Sequence, residues 1–214
     1  MPLLPYCIVE AGLQLSVSPR GVQGAAVEQV CDAGLCCFYS RVGSLPPDAS
    51  SVKQAALEFH AVVSSVFNQA AVIPVRFPTL VADLNELTAH LGSRAAEYRE
   101  ALQRLRGLVQ MEIRISTSAQ ETTAGSGTQY LRNRQQRTAG LEEAASNIRA
   151  QMQSILADWR ERETSKGWRC YALIARSDVM KFQGMVRSLE APVGLQLAVS
   201  GPWPATEFIS TEPQ

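Results

Sequence analysis

Histidines, cysteines and paired carboxylates carry most side-chain chemistry, and in this chain they are few and poorly spaced for it. The two histidines, His60 and His90, have no cysteine or acidic residue at metal-ligand spacing, and neither HExxH nor CxxC occurs. Cys170 sits in a strand-like run with no evident base beside it, and there is no GxSxG. Glu142 and Glu143 are adjacent in helical sequence, so their side chains diverge by about 100° and form a solvated face rather than a facing acid–base pair. Gly125-Ser126-Gly127 precedes a stretch bearing Arg132, Arg134 and Arg137, where free amides and guanidinium groups could hold a phosphate. No strand directly precedes it and the Lys-Ser/Thr of a P-loop is absent, so a loop leading into a basic helix is the better reading. The residues point to no catalytic group, no metal and no cofactor.

The elements that would position any site are those of a protein with about 70% of its unfolded surface to bury, in one large domain or two small ones. Twenty basic and twenty acidic groups cancel. Residues 1–92 carry four and seven (4 − 7 = −3), and residues 93–214 carry sixteen and thirteen (16 − 13 = +3). No global field attracts nucleic acid or an anionic membrane. Only Lys53, Lys166 and Lys181 are lysines, so the basic charge is almost all arginine, suited to planar paired contacts. Five cysteines (Cys7, Cys31, Cys36, Cys37 and Cys170) without CxxC spacing argue against a disulfide framework and for free thiols in a reducing cytosol. The opening residues do not make a signal peptide, and no apolar run is long enough to span a membrane.

Along the chain, Tyr6–Glu10 reads as a strand, residues 11–26 as a loop, and Val27–Val42 as a hairpin around Asp32-Ala33-Gly34. After a break at Pro46-Pro47, Ser50 or Ser51 caps a helix whose apolar positions run Val52, Ala55, Ala56, Phe59, Val62, Val63, Val66, Phe67. Ala71–Thr79 is apolar with Arg76 at its centre and a proline on each side, hence an edge strand or a bulge. Thr79 caps a helix that Gly92 stops, and a second helix occupies 93–107. Val109–Ser116 alternates, with Val109, Met111, Ile113 and Ile115 inward and Gln110, Glu112, Arg114 and Ser116 on a wet face.

A polar stretch, Thr117–Gly127, then leads to a helix read from about 128 to 163. Its Leu141, Ala145, Ile148, Met152, Ile155 and Trp159 recur every 3.5 residues, a seam for packing on its own sheet or for docking a partner helix. So long a helix should project beyond the sheet. Trp168–Ala175 is a central strand, Asp178 caps a helix ended by Ala191-Pro192, and Val193–Val199 is a last strand closed by Gly201-Pro202-Trp203-Pro204. The fold class expected is α+β in two small domains. Residues 1–107 form the first, and 108–214 form a ferredoxin-like, split βαβ sheet carrying the long helix.

Four segments in order resemble the GvpL/GvpF family of gas vesicle proteins. Val72-Ile-Pro-Val-Arg-Phe-Pro-Thr79 is similar to the family's Val-Leu-Pro-Val-Arg-Phe-Gly-Thr. Met111-Glu-Ile-Arg-Ile115 resembles its Glu/Trp-x-Val-Lys-Val strand, and Gly127-Thr-Gln-Tyr130-Leu131-Arg-Asn-Arg134 fits Gly-x-x-Tyr-Leu-x-x-Arg without a gap. Gly201-Pro-Trp-Pro204 is like the family's final strand ending. Pro78 stands where the family has glycine, Arg114 where it has lysine, and Ala205-Thr206 where Pro-Tyr often follows.

The resemblance implies a cytoplasmic, non-enzymatic, gas-vesicle-associated accessory protein. Its partners would be the very apolar shell protein and other gas vesicle proteins, with no nucleic acid among them. It also marks Arg76, Phe77, Arg114, Tyr130, Leu131, Arg134, Arg137 and Trp203 as partner-binding or structural motif residues. Two rival readings stand beside it: a minor structural component of the vesicle wall, and a small-ligand-binding or enzymatic domain on a ferredoxin-like scaffold.

Overall fold

A computed structural model describes residues 1–17, 20–43, 48–117, 127–165, 167–189 and 194–209, with the backbone alone at 127–137. The chain divides into two compact units, one of Met1–Gly107 and the chain from Ile209, the other of Leu108–Phe208. Each holds a four-stranded antiparallel sheet with helices, so the protein is α+β. Expectations placed at Pro46-Pro47, at 118–126 and at Ala191-Pro192 fall outside the described residues.

In the first unit the strands β1 (Leu3–Glu10), β2 (Val27–Asp32), β3 (Leu35–Arg41) and β4 (Ile73–Pro74) lie in the order β2-β3-β1-β4. The first strand starts three residues before the sequence reading placed it, and its seven residues from Leu3 to Val9 are all buried. Ala33 and Gly34 both take positive φ (48° and 81°), which gives β2 and β3 the two-residue turn that matches strand twist. That turn sets the register, and the register sets a bond: Cys31 faces Cys36 directly and the two form a disulfide. The expectation of five free thiols is therefore corrected. The spacing of five residues is no motif in itself, and becomes a pairing only once the turn is known to be two residues long. Cys7, Cys37 and Cys170 are free and buried.

Helix α1 (Ala49–Phe67) is capped by Asp48, not by Ser50 or Ser51. The Asp48 carboxylate accepts from the Ser50 hydroxyl and from the Ser51 amide, and these bonds hold it well below the usual carboxylate range. Ala55, Phe59, Val62, Val63, Val66 and Phe67 are buried, whereas Val52 faces water. The Phe59 ring lies 5.1 Å from Tyr6 of β1 and 5.2 Å from Phe77.

The loop before β2 is held from inside. The Tyr6 hydroxyl accepts the Val22 amide at 2.9 Å and donates to Ser40 Oγ at 2.9 Å, and Ser40 donates on to the Ala26 carbonyl at 2.8 Å. Tyr6, Val22 and Ser40 are fully buried, so these bonds replace water for every polar atom they join.

After the edge strand β4, helix α2 (Leu84–Ser93) is capped by Asp83 instead of Thr79. Asp83 accepts the Glu86 amide, and Glu86 reaches back to the Ala82 amide. With the start moved forward, Leu80 is left outside the helix and exposed, and Gly92 lies within it. Helix α3 (Ala95–Arg104) follows. Its Tyr98 and Leu102 pack with Leu87 and Leu91 of α2 onto the sheet's core, which Ile209 also joins.

In the second unit β5 (Leu108–Thr117), β6 (Leu156–Thr164), β7 (Gly167–Ala175) and β8 (Leu195–Trp203) lie in the order β6-β7-β5-β8. Helix α4 (Gly127–Met152) joins β5 to β6, and α5 (Val179–Ser188) joins β7 to β8. Helix α4 lies against β5, β6 and β7, and α5 against α4 and β8.

The helix expected to run to about 163 ends at Met152. A 3-10 turn, Gln153–Ile155, reverses the chain, and Leu156–Thr164 is the edge strand β6. Of the six seam residues, Leu141, Ala145, Ile148 and Met152 are buried on the helix, while Trp159 is buried on the strand. The heptad spacing thus describes packing on the chain's own sheet at these positions.

The last strand passes close to its neighbour. Gly201, at φ 117° and following which the peptide bond to Pro202 is cis, would place a Cβ 2.9 Å from the Gln110 carbonyl oxygen. Only glycine fits there. The register between β5 and β8 shifts at this point, and the strand resumes its pairing with Trp203 opposite Gln110.

Candidate functional site

Directly opposed residues on neighbouring strands share a face, so the register of the second sheet assigns its two faces. Val109, Met111, Ile113 and Ile115 share one with Cys170, Ala172, Ile174 and Trp159, all buried under the helices. The opposite face mixes charged and polar side chains with Tyr171, Leu173 and Trp203. Across it, Arg162, Arg169 and Arg114 stand in one row on β6, β7 and β5. The next row holds Arg160, Tyr171, Glu112 and Ser200, and the one beyond holds Asp158, Leu173, Gln110 and Trp203.

Two carboxylates organise these arginines. Glu112 accepts from Arg114 Nε at 2.7 Å and lies 3.6 Å from Arg169 Nη1. Glu207, on the 3-10 turn Thr206–Phe208, accepts from Arg162 Nη2 at 2.9 Å. Its own amide donates to Gln110 Oε1, its carbonyl accepts from Arg160, and the Arg160 guanidinium lies over the Phe208 ring at 5.2 Å. This returning segment and the arginine side chains bury Gln110 and Glu112. That corrects the wet face assigned to both. The carboxylate beside Arg114 also raises that guanidinium above its ordinary value.

Arg114 and Trp203 are thus brought onto one face, on adjacent strands. Trp203 is partly exposed, and its Nε1 donates to Ser200 Oγ at 3.3 Å. Tyr130, Leu131, Arg134 and Arg137 lie on the described backbone of α4 in the same unit, at positions whose side chains are outside the description. Arg76 and Phe77 belong to the first unit. Arg76 is exposed and its carbonyl closes a tight turn by accepting the Thr79 amide, while Phe77 packs on Phe59. Phe77 therefore serves the core of that unit.

The residues missed from sequence are Glu112 as the shared acceptor, Arg160 and Arg162 on β6, Arg169 on β7, and Glu207. The alternation Arg160-Glu161-Arg162-Glu163 was the available signal, and the helical seam running into it concealed the strand.

Elsewhere the chemistry-bearing groups are engaged in packing. Among the described residues no three His, Cys, Asp or Glu side chains are grouped to hold a metal ion. Burial pushes Cys37 up to about 12 and raises Cys7 and Cys170 as well, so all three are thiols and weak nucleophiles at neutral pH. His90 Nε2 lies 2.9 Å from the Tyr98 hydroxyl, which also accepts from Arg94. No helix among the described residues is long and apolar enough to cross a membrane.

These features define an α+β protein of two four-stranded antiparallel sheets, the second with a row of partly exposed arginines on one face. The chain belongs to the GvpL/GvpF family of gas vesicle synthesis proteins, whose family model matches residues 3–210. Among solved structures it is similar to the gas vesicle protein GvpF from Anabaena sp. PCC7120, at 16% identity and a TM-score of 0.77, over 99% of this chain and 97% of that one. It is likewise similar to GvpF from Microcystis aeruginosa, at 14% identity and a TM-score of 0.77, over 98% and 99%. At such identities the likeness is one of fold. Comparison with curated proteins finds no significant match.

Proposed function

We infer from family membership that the chain has a gas-vesicle-related role. We propose that it is an accessory protein of gas vesicle assembly that binds the apolar shell protein, acting in the cytoplasm and at the vesicle and catalysing nothing. The observation that carries this reading is the family match across residues 3–210. The physical reason for such a protein is direct. A subunit that lines a gas-filled space exposes a large apolar area before assembly and aggregates unless a partner covers it. In this reading the two units are domains, 1–107 and 108–214. The second is ferredoxin-like, a description supported by its strand–helix–strand–strand–helix–strand connectivity and its order β6-β7-β5-β8. Arg114, Trp203 and the α4 positions Tyr130, Leu131, Arg134 and Arg137 are the proposed contact residues of this domain, with Arg76 that of the first.

The test is co-expression of the shell protein with and without this chain. Retention of soluble shell protein, and its capture on the tagged chain, are expected. Shell protein that stays equally soluble without the chain and is not captured would overturn the reading. Recovery of the chain only in washed, intact vesicles would favour a wall component.

A further inference from the structure

The row Arg162–Arg169–Arg114 is unusual for a sheet face, because like charges directly opposite one another destabilise strand pairing. The three side chains are 50%, 42% and 56% exposed. Arginine presents a planar fork of donors, and each of the three turns one nitrogen toward Glu112 or Glu207 among the described residues. Among the described residues of this face, Arg114, Arg160, Arg162 and Arg169 meet Glu112, Asp158 and Glu207 (4 − 3 = +1), so it remains cationic.

The spacing selects among anionic partners. Neighbouring strands are about 4.8 Å apart, and the row runs perpendicular to them. Same-face residues of an extended peptide recur every ~6.7 Å, which drifts out of step with the row after one interval. Carboxylates at i and i+4 of a helix lie about 6 Å apart along the axis, and those at i and i+3 about 4.5 Å, bracketing the strand step. The molecule itself supplies a precedent, since Glu207 places its carboxylate on Arg162 from a helical turn.

We propose that this face docks an acidic helix of a partner protein, with carboxylates one turn apart seated on Arg169 and Arg114, continuing the line that Glu207 begins on Arg162. The assignment goes beyond the shell-protein reading and does not depend on which gas vesicle protein supplies the helix.

The probe is a fluorescent alanine-based helical peptide with glutamates at i and i+4. Its control has the same composition with the glutamates at i and i+2, on different faces. Anisotropy titrations into the full chain should show the first binding at least about tenfold tighter than the second, as expected for two charge-assisted pairs. Arg114→Gln with Arg169→Gln should reduce that preference to less than about twofold, and added salt should weaken binding. Arg114→Glu with Arg169→Glu should shift the preference to a peptide bearing lysines at i and i+4, a gain that a merely damaged fold does not produce.

Equal binding of the two glutamate peptides, unchanged binding by the Gln variant, or no saturable binding would overturn the proposal. So would an oligonucleotide duplex that displaces the peptide from these arginines at lower concentration, which would make the face a phosphate site. Failure of shell-protein capture in the co-expression test leaves these titrations unaffected, so the two ideas fall separately.

Discussion

The buried Tyr6 hydroxyl gives the sharpest quantitative test of how the first unit is held together. Tyr6→Phe removes one oxygen and leaves the Val22 amide, wholly buried, without its acceptor. An unsatisfied buried donor costs about 1–3 kcal/mol. Gly21 sits against the same oxygen. A Cβ there would lie 2.0 Å from Tyr6 Oη, 2.7 Å from Ser40 Oγ and 2.9 Å from Tyr6 Cζ, so Gly21→Ala forces the loop off the sheet. Overpacking of this kind costs about 1–3 kcal/mol.

The two changes share an atom and should not add. In the Tyr6→Phe background the closest clash is gone and the hydrogen bond already lost, so the double variant should be about 1 kcal/mol or more better than the sum of the singles. All three tryptophans (Trp159, Trp168 and Trp203) are in the second unit, so far-UV circular dichroism is the signal that includes the first. Urea unfolding followed by dichroism should register the loss as a lowered midpoint. The Val22 amide should exchange with deuterium faster in Tyr6→Phe. Strict additivity, or unchanged exchange at Val22, would refute the reasoning.

Alkaline pH should destabilise the protein. The buried thiols Cys7, Cys37 and Cys170 titrate above the ordinary 9.0, so the folded state keeps protons that the unfolded chain releases. The thiols' contribution to stability is then constant below about pH 8 and falls as pH rises, by roughly 1.4 kcal/mol per thiol at pH 10, giving about 4 kcal/mol for the three. Urea midpoints at pH 8 and pH 10 check this. Asp83→Ala should cost about 1 kcal/mol by removing the acceptor for the Glu86 amide, measured as a lowered urea midpoint seen by dichroism. Alkylation followed by mass spectrometry should label none of the cysteines in the native protein, three after unfolding without reductant, and five after reduction.

Much of the fold was legible because its strands alternate cleanly or are apolar throughout, as β5 and β7 show. Strand β6 was not. Ile155 ends the 3-10 turn and Trp159 lies in the strand beyond a register shift between Leu156 and Asp158, yet both are buried four residues apart, so the helical seam runs on unbroken in sequence through a chain reversal. Its outer residues, Arg160 to Glu163, are charged on both faces, which suits an exposed sheet edge and reads equally well as a solvated helix. The caps were misplaced for a simpler reason. Asp48 and Asp83 compete with nearby Ser50, Ser51 and Thr79 for a role that all five side chains can fill. The arginine row could not be seen at all, because Arg162, Arg169 and Arg114 meet only through two pairings, one across a hairpin and one between strands 55 positions apart (169 − 114). For the same reason Arg114 was singled out without the neighbours that give it a purpose.

The chain enters the second unit after Gly107 and leaves it before Ile209, whose side chain packs on the first unit's core and whose carbonyl accepts from Arg104 at 2.9 Å. The second unit is thus spliced into the first at the level of topology, bounded by two covalent crossings. A nick near position 208 would be felt by a core that is otherwise complete a hundred residues earlier, and any swap of one unit between relatives would need two junctions to preserve that last contact.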